Sequence, residues 1–273
     1  MTDLLRLIRA HNLGIAAAGV LAGGWIALGA VAVPKLLAFA ALSAIGLGAA
    51  GNAANDLQDA ALDRLNRQAE RPIASGRMRV ESAATVIWVG GLLGLGSAAL
   101  VSGPQVAVAA AVLVVMLSYS PWLKRHGVPG NLAVAVVAGL PLFYGGMAVG
   151  DPPAGVIPWL LAAWLHLARE IVKDLEDEPG DRAAGRRTLP VRYGAPVARR
   201  VVILVCVTFA PACVLLPLMA GYRFAYFLGA MLALGLVWQA VRWLTRGRLG
   251  AASLFLKGSM LAGLVALVLG RVT

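Results

Sequence analysis

The sequence predicts an all-α integral membrane protein of nine transmembrane helices, and three observations carry that expectation. Hydrophobic residues make up 60% of the 273 positions, and the mean hydropathy is +0.79. Only 14% of the residues are charged, where a soluble domain carries about a quarter. The apolar residues come in runs of about 20, the length that spans a bilayer, and not in narrow amphipathic stripes. Strand-type alternation is absent, which argues against an outer-membrane barrel.

The nine runs are 13–33, 36–57, 82–101, 104–123, 130–149, 155–174, 198–218, 222–243 and 250–270. The first follows Arg6 and Arg9 and is too long for a cleaved signal peptide. Gly and Pro mark the turns at 102–104, 129–130, 151–153 and Gly247. Glycine inside the runs suits membrane helices, where small residues let backbones approach. Cys206 and Cys213 share one apolar run and suggest neither a disulfide nor a metal framework. The expectation is one membrane domain over 1–273, with helices one to four echoed by five to eight.

The net charge of +11 sorts by side. Basic residues crowd before helix one and after helices two, four, six and eight. Only Lys35, Arg223 and Arg271 fall opposite. The positive-inside rule puts the N-terminus in the cytoplasm. A nucleic-acid partner is disfavoured, because the chain lacks a soluble basic face. No obligate protein partner is expected.

Two acidic stripes stand out. Asn52, Asp56, Asp59 and Asp63 repeat at helical spacing, with Asn55 beside them. Glu170, Asp174, Asp177 and Asp181 repeat with the same offsets. Like charges one turn apart repel unless a cation lies between them. A hard divalent cation such as Mg2+ takes oxygen ligands and bridges carboxylates to phosphates. Arg169 and Lys173 put cations beside the second stripe, and acids with fixed cations suit a metal–diphosphate complex. A carrier is less natural, since transport carboxylates sit near the midplane while these end their helices at one leaflet.

With these residues in hand, the chain resembles the UbiA-type intramembrane prenyltransferases. The paired Asn-Asp-x-x-Asp-x-x-x-Asp and Lys-Asp-x-x-Asp-x-x-x-Asp motifs carry the resemblance on helices two and six of nine. Asn66-Arg67 followed by Arg71-Pro72-Ile73, and Arg187-Thr188-Leu189-Pro190, are similar to the family's segments after each motif. The resemblance implies a helical bundle with a central cavity open to the cytoplasmic side of the cell membrane. It implies that Asp56, Asp59 and Asp63 with Asp174, Asp177 and Asp181 bind Mg2+ and a polyprenyl diphosphate. Asp56, Asp59, Asp174 and Asp177 are the catalytic acids in this reading. Asn52, Asn55, Arg67, Arg71, Arg169, Glu170 and Lys173 are expected to bind substrate.

The second motif, Tyr119 through Lys124, Gly130-Asn131 and Lys257 through Met260 are similar to one subgroup, the digeranylgeranylglyceryl phosphate synthases. This implies geranylgeranyl transfer to a lipid-like acceptor, the hydroxyl of geranylgeranylglyceryl phosphate. Tyr119, Lys124, Asn131 and Tyr144 are then substrate contacts. Lys257 either binds a phosphate or snorkels to the interface. An aromatic or tetrapyrrole acceptor and a polyprenyl-phosphate carrier are the alternatives. Pro179 predicts a helix end near Glu178, with Asp181 in a loop. His166, one turn before Glu170, predicts a hydrogen bond to that carboxylate. The Asp-Gly-x-x-Ala-Arg core of CDP-alcohol phosphotransferases and the zinc-protease His-Glu-x-x-His are absent.

Overall fold

The computed structural model describes residues 2–65, 71–119, 123 and 127–272. Their regular structure is all helical: α1 (Thr2–Leu7), α2 (Ala10–Leu28), α3 (Lys35–Leu65), α4 (Val80–Ala99), α5 (Gly103–Tyr119), α6 (Val128–Ala148), α7 (Pro152–Ala183), α8 (Leu189–Tyr193), α9 (Ala195–Met219), α10 (Phe224–Thr245) and α11 (Leu249–Leu269). Eight helices among the described residues are long and apolar enough to cross a membrane. The remaining apolar helix, α5, has 17 described residues. This is a multi-pass membrane bundle. Large apolar side chains such as Trp88, Leu92, Leu228 and Met231 lie on its outside, as lipid contact requires.

Helix α2 packs on α3, α6, α7 and α11. Its crossing with α6 is close because both sides present glycine. A Cβ on Gly23 would overlap the Leu142 carbonyl, and one on Gly145 would overlap the Val20 carbonyl. The same device closes α3 on α4, where Gly46 faces Gly90 and Gly94. The expected echo of helices is partial: α5 packs on α3, whereas α11, the last helix, packs on α7.

Two helices depart from the lipid-length expectation, and they are the two that matter. Helix α3 has 31 residues and α7 has 32. At 1.5 Å per residue these are about 46 Å and 48 Å long, against a hydrocarbon thickness of about 30 Å. Each carries its acidic stripe in the last half of a helix that is longer than the apolar layer is thick. Contrary to the expectation from Pro179, α7 continues through Asp181 to Ala183. Proline removes only one donor from the ladder. The following turn is held by Ala184 N–H to the Gly180 carbonyl and Arg186 N–H to the Asp181 carbonyl. Asp181 is a buried helical residue.

Candidate active site

On α3 the carboxylates face inward. Asp56, Asp59 and Asp63 are each 5% exposed or less. Buried carboxylates need partners, and the chain supplies them from segments that follow each stripe. Asp56 accepts from Arg71 Nη1 at 3.3 Å and from the Ile73 backbone N–H at 3.2 Å. Arg71 Nε also lies 3.8 Å from Asp63. Asn52 donates from Nδ2 to the Ile8 carbonyl at 2.8 Å, fastening α1 over this end of the bundle. Arg77 pairs with Asp3 at 3.0 Å and Leu7 is buried against the same face, which adds to that fastening. Asn55 is half-buried on the next face.

On α7 the acids are held differently. Asp174 accepts from Asn131 Nδ2 of α6 at 2.7 Å. Glu170 accepts from Arg169 Nη1 at 3.1 Å. Lys173 is half-buried, and Asp177 is exposed with no hydrogen bond or ion pair among the described residues. The hydrogen bond expected between His166 and Glu170 is not among those described. The His166 Nδ1 is buried without a partner, and the Glu170 carboxylate turns to Arg169.

One side chain joins the two stripes. Arg186 donates from Nη2 to Asp59 at 3.1 Å and from Nη1 to Asp181 at 3.0 Å. Its side chain is 12% exposed. Asp59 and Asp181, far apart in sequence, thus meet at a single guanidinium. Gly185, at φ +67°, makes this possible: the left-handed turn, accessible to glycine at little cost, folds the chain back onto the acids. In the sequence Arg186 is one of the basic residues that crowd after helix six. The available signal was its place, directly after a glycine that ends an acidic helix.

The remaining expected residues divide. Tyr119 is half-buried at the end of α5, where the charges of Glu170, Asp174, Asp59 and Arg186 all act on its hydroxyl. Lys257 is exposed on α11, within range of the charges of Arg169, Lys173 and Glu176. Arg9 joins the α3 side, where Asp56, Asp59, Asp63 and Arg71 act on its guanidinium. It is the one non-glycine residue with positive φ among those described, at 50°. Tyr144 does not belong with them. It lies 13 residues beyond Asn131 on α6, about 20 Å along the helix. Its hydroxyl is hydrogen-bonded to Ser43 at 2.9 Å, inside a network that includes Gln105 and the Gly94 carbonyl. The expected substrate role of Tyr144 is corrected on that ground: it links α3, α5 and α6 deep in the bundle. Arg67 and Lys124 lie outside the described residues.

Among the described residues no three carboxylates are gathered as ligands of a metal ion, and Arg71 and Arg186 lie among the acids. The donor chemistry nonetheless suits a hard divalent cation. All donors are oxygens, the carboxylates outnumber the arginines paired with them, and the two stripes already meet across Arg186.

The sequence pattern of the UbiA prenyltransferase family matches residues 16–263. The chain is 39% identical over 253 residues to a digeranylgeranylglyceryl phosphate synthase from Ignicoccus hospitalis, covering 87% of this chain and 81% of that protein. It is 37% identical over 281 residues to the synthase of the same name from Metallosphaera sedula, covering 99% and 96%. A solved structure of digeranylgeranylglyceryl phosphate synthase in membranes shares the fold at a TM-score of 0.82 and 24% identity, covering 99% of this chain and 98% of that one. A UbiA homologue from Archaeoglobus fulgidus, solved with GPP and Mg2+, superposes at a TM-score of 0.73 and 18% identity, covering 97% and 99%. The chain belongs to the UbiA prenyltransferase family.

Proposed function

We propose that this enzyme transfers a geranylgeranyl group from geranylgeranyl diphosphate to the free hydroxyl of geranylgeranylglyceryl phosphate, a step in ether-lipid synthesis. The observation that carries the reading is the meeting of both acidic stripes at Arg186. Relatives with 34–39% identity bear the name of that activity. In this reading nine membrane helices surround a central cavity that opens, with the N-terminus and the acids, on the cytoplasmic side of the cell membrane.

Asp56, Asp59, Asp63, Asp174, Asp177 and Asp181 would hold Mg2+, which when bound supplies positive charge against the leaving diphosphate. Arg71, Arg186 and Lys173 offer fixed donors to the diphosphate oxygens, which carry most of the charge that develops as the allylic C–O bond breaks. Asn131 keeps the Asp174 carboxylate turned toward the site. The apolar helices exclude water that would quench an allylic cation. The acceptor hydroxyl oxygen bonds to the allylic carbon, and its proton goes to the departing diphosphate.

The test is mass spectrometry of the products formed by purified protein, Mg2+ and geranylgeranyl diphosphate with a panel of acceptors. The diprenylated glyceryl phosphate is expected. Prenylation of an aromatic acid or a tetrapyrrole alone would replace the acceptor assignment. No product from any acceptor, with prenyl phosphate moved across vesicles, would favour a carrier.

A further inference from the structure

A second polar feature lies one helical turn from the acids. A cavity of about 220 Å3 opens between the start of α6 and the short helix α8. That is several times the ~30 Å3 share of one water, ample for a phosphate group. Val128, Pro129, Arg187, Leu189, Arg192 and Tyr193 line it. Neither arginine pairs with a carboxylate among the described residues, and Arg192 stacks on the Tyr193 ring at 5.1 Å. The two walls are held together by backbone: Gly127, at φ +64°, leaves no room for a Cβ against the Arg187 carbonyl. Adjacent arginines therefore serve different places, Arg186 the acids and Arg187 this cavity. Both arginines are exposed, and two cations without a carboxylate partner that line one recess suit an anion.

Its position narrows which anion. Asn131, bonded to Asp174, is one turn along α6 from Val128, about 5 Å of rise. Val128, which lines the cavity, and Leu132, one turn further on, are exposed apolar residues on one face of α6. An anionic head beside a greasy track fits an amphiphile whose reacting atom lies close to its phosphate. We propose that Arg187 and Arg192 bind the phosphate monoester of the lipid acceptor. They thereby set acceptor choice apart from the acids, which read the donor. This rests on the acceptor being a lipid phosphate, as argued above.

The test uses the full-length protein in detergent and the Arg187→Gln/Arg192→Gln double variant. Removing one charge-assisted hydrogen bond should weaken binding on the order of tenfold or more. The double variant should raise the KM for geranylgeranylglyceryl phosphate on the order of a hundredfold, the product of two such steps, and leave the donor KM unchanged. The wild type should prefer that acceptor to its dephosphorylated alcohol, and the variant should lack the preference. An Arg187→Lys/Arg192→Lys variant should restore part of it. A second measurement needs no turnover: binding of a short-chain lipid phosphate monoester, followed by native mass spectrometry. The wild type should hold it and the Gln variant should not. Inorganic phosphate should compete weakly, and phosphatidylglycerol should not compete. Equal competition by phosphatidylglycerol would make the cavity a general lipid contact and overturn the proposal. So would unchanged monoester binding in the Gln variant. If the wild type binds the monoester but prenylates only other acceptors, the acceptor assignment fails while the phosphate site stands.

Discussion

Replacing Arg186 with Gln tests the link between the two stripes directly. Arg186 is the shared partner of Asp59 and Asp181, and all three side chains are at most 12% exposed. Removing one partner of a buried ion pair costs about 3–5 kcal/mol, because a desolvated charge is left behind. Gln keeps one donor and the site is not wholly closed, so the low end applies, about 3 kcal/mol. For a chain of this size that is a fall of roughly 6–12 °C in Tm. A cation that neutralises the same carboxylates would offset the destabilisation. The Mg2+-induced rise in Tm should therefore be larger in R186Q than in the wild type, by linkage. Thermal unfolding followed by tryptophan fluorescence, with chelator and then with Mg2+, reads both quantities. A destabilisation below about 1 kcal/mol in chelator, with the same Mg2+ increment in both proteins, would refute the claim that Arg186 joins the stripes.

Four further outcomes are expected. Asp56→Ala and Asp174→Ala should each lower turnover by at least about a hundredfold in the product assay while the protein remains folded by circular dichroism. Asn131→Leu removes the 2.7 Å bond to Asp174, a charge-assisted hydrogen bond worth about 1.5–3 kcal/mol. It should lower kcat roughly tenfold to a hundredfold, and unchanged kcat would show that Asp174 needs no such partner. Tyr144→Phe should lower thermal stability by about 1 kcal/mol and leave the KM of both substrates unchanged, whereas a raised KM would return Tyr144 to the site. Chelation should abolish turnover, with Mg2+ restoring it better than the larger Ca2+.

The bundle and its two acidic stripes were legible because lipid-length runs and helical offsets are local properties of sequence. Helix length was read less well. A rule calibrated on hydrocarbon thickness stops at the bilayer edge, while α3 and α7 continue through residues with ordinary helix propensity. Pro179 predicts an end that α7 does not have, since one missing donor does not end a helix whose next turn is tied by Arg186. Tyr144 was placed by residue type alone, and only the register of α6 against α3 and α5 shows that its hydroxyl is already used. Arg186 escaped notice because a salt bridge between distant segments leaves no periodic trace.

The extended helices also act as a pair of rulers. Roughly 21 residues separate Lys35 from Asp56 and 22 separate Pro152 from Asp174, about 31 Å and 33 Å of rise. Each leading aspartate thus follows the start of its helix by about one hydrocarbon thickness. Lengthening the acyl chains of the host membrane by a few ångströms would therefore bring the hydrocarbon edge up to the acidic turns of both helices. Catalytic output should then fall as the lipid chains of the host membrane lengthen.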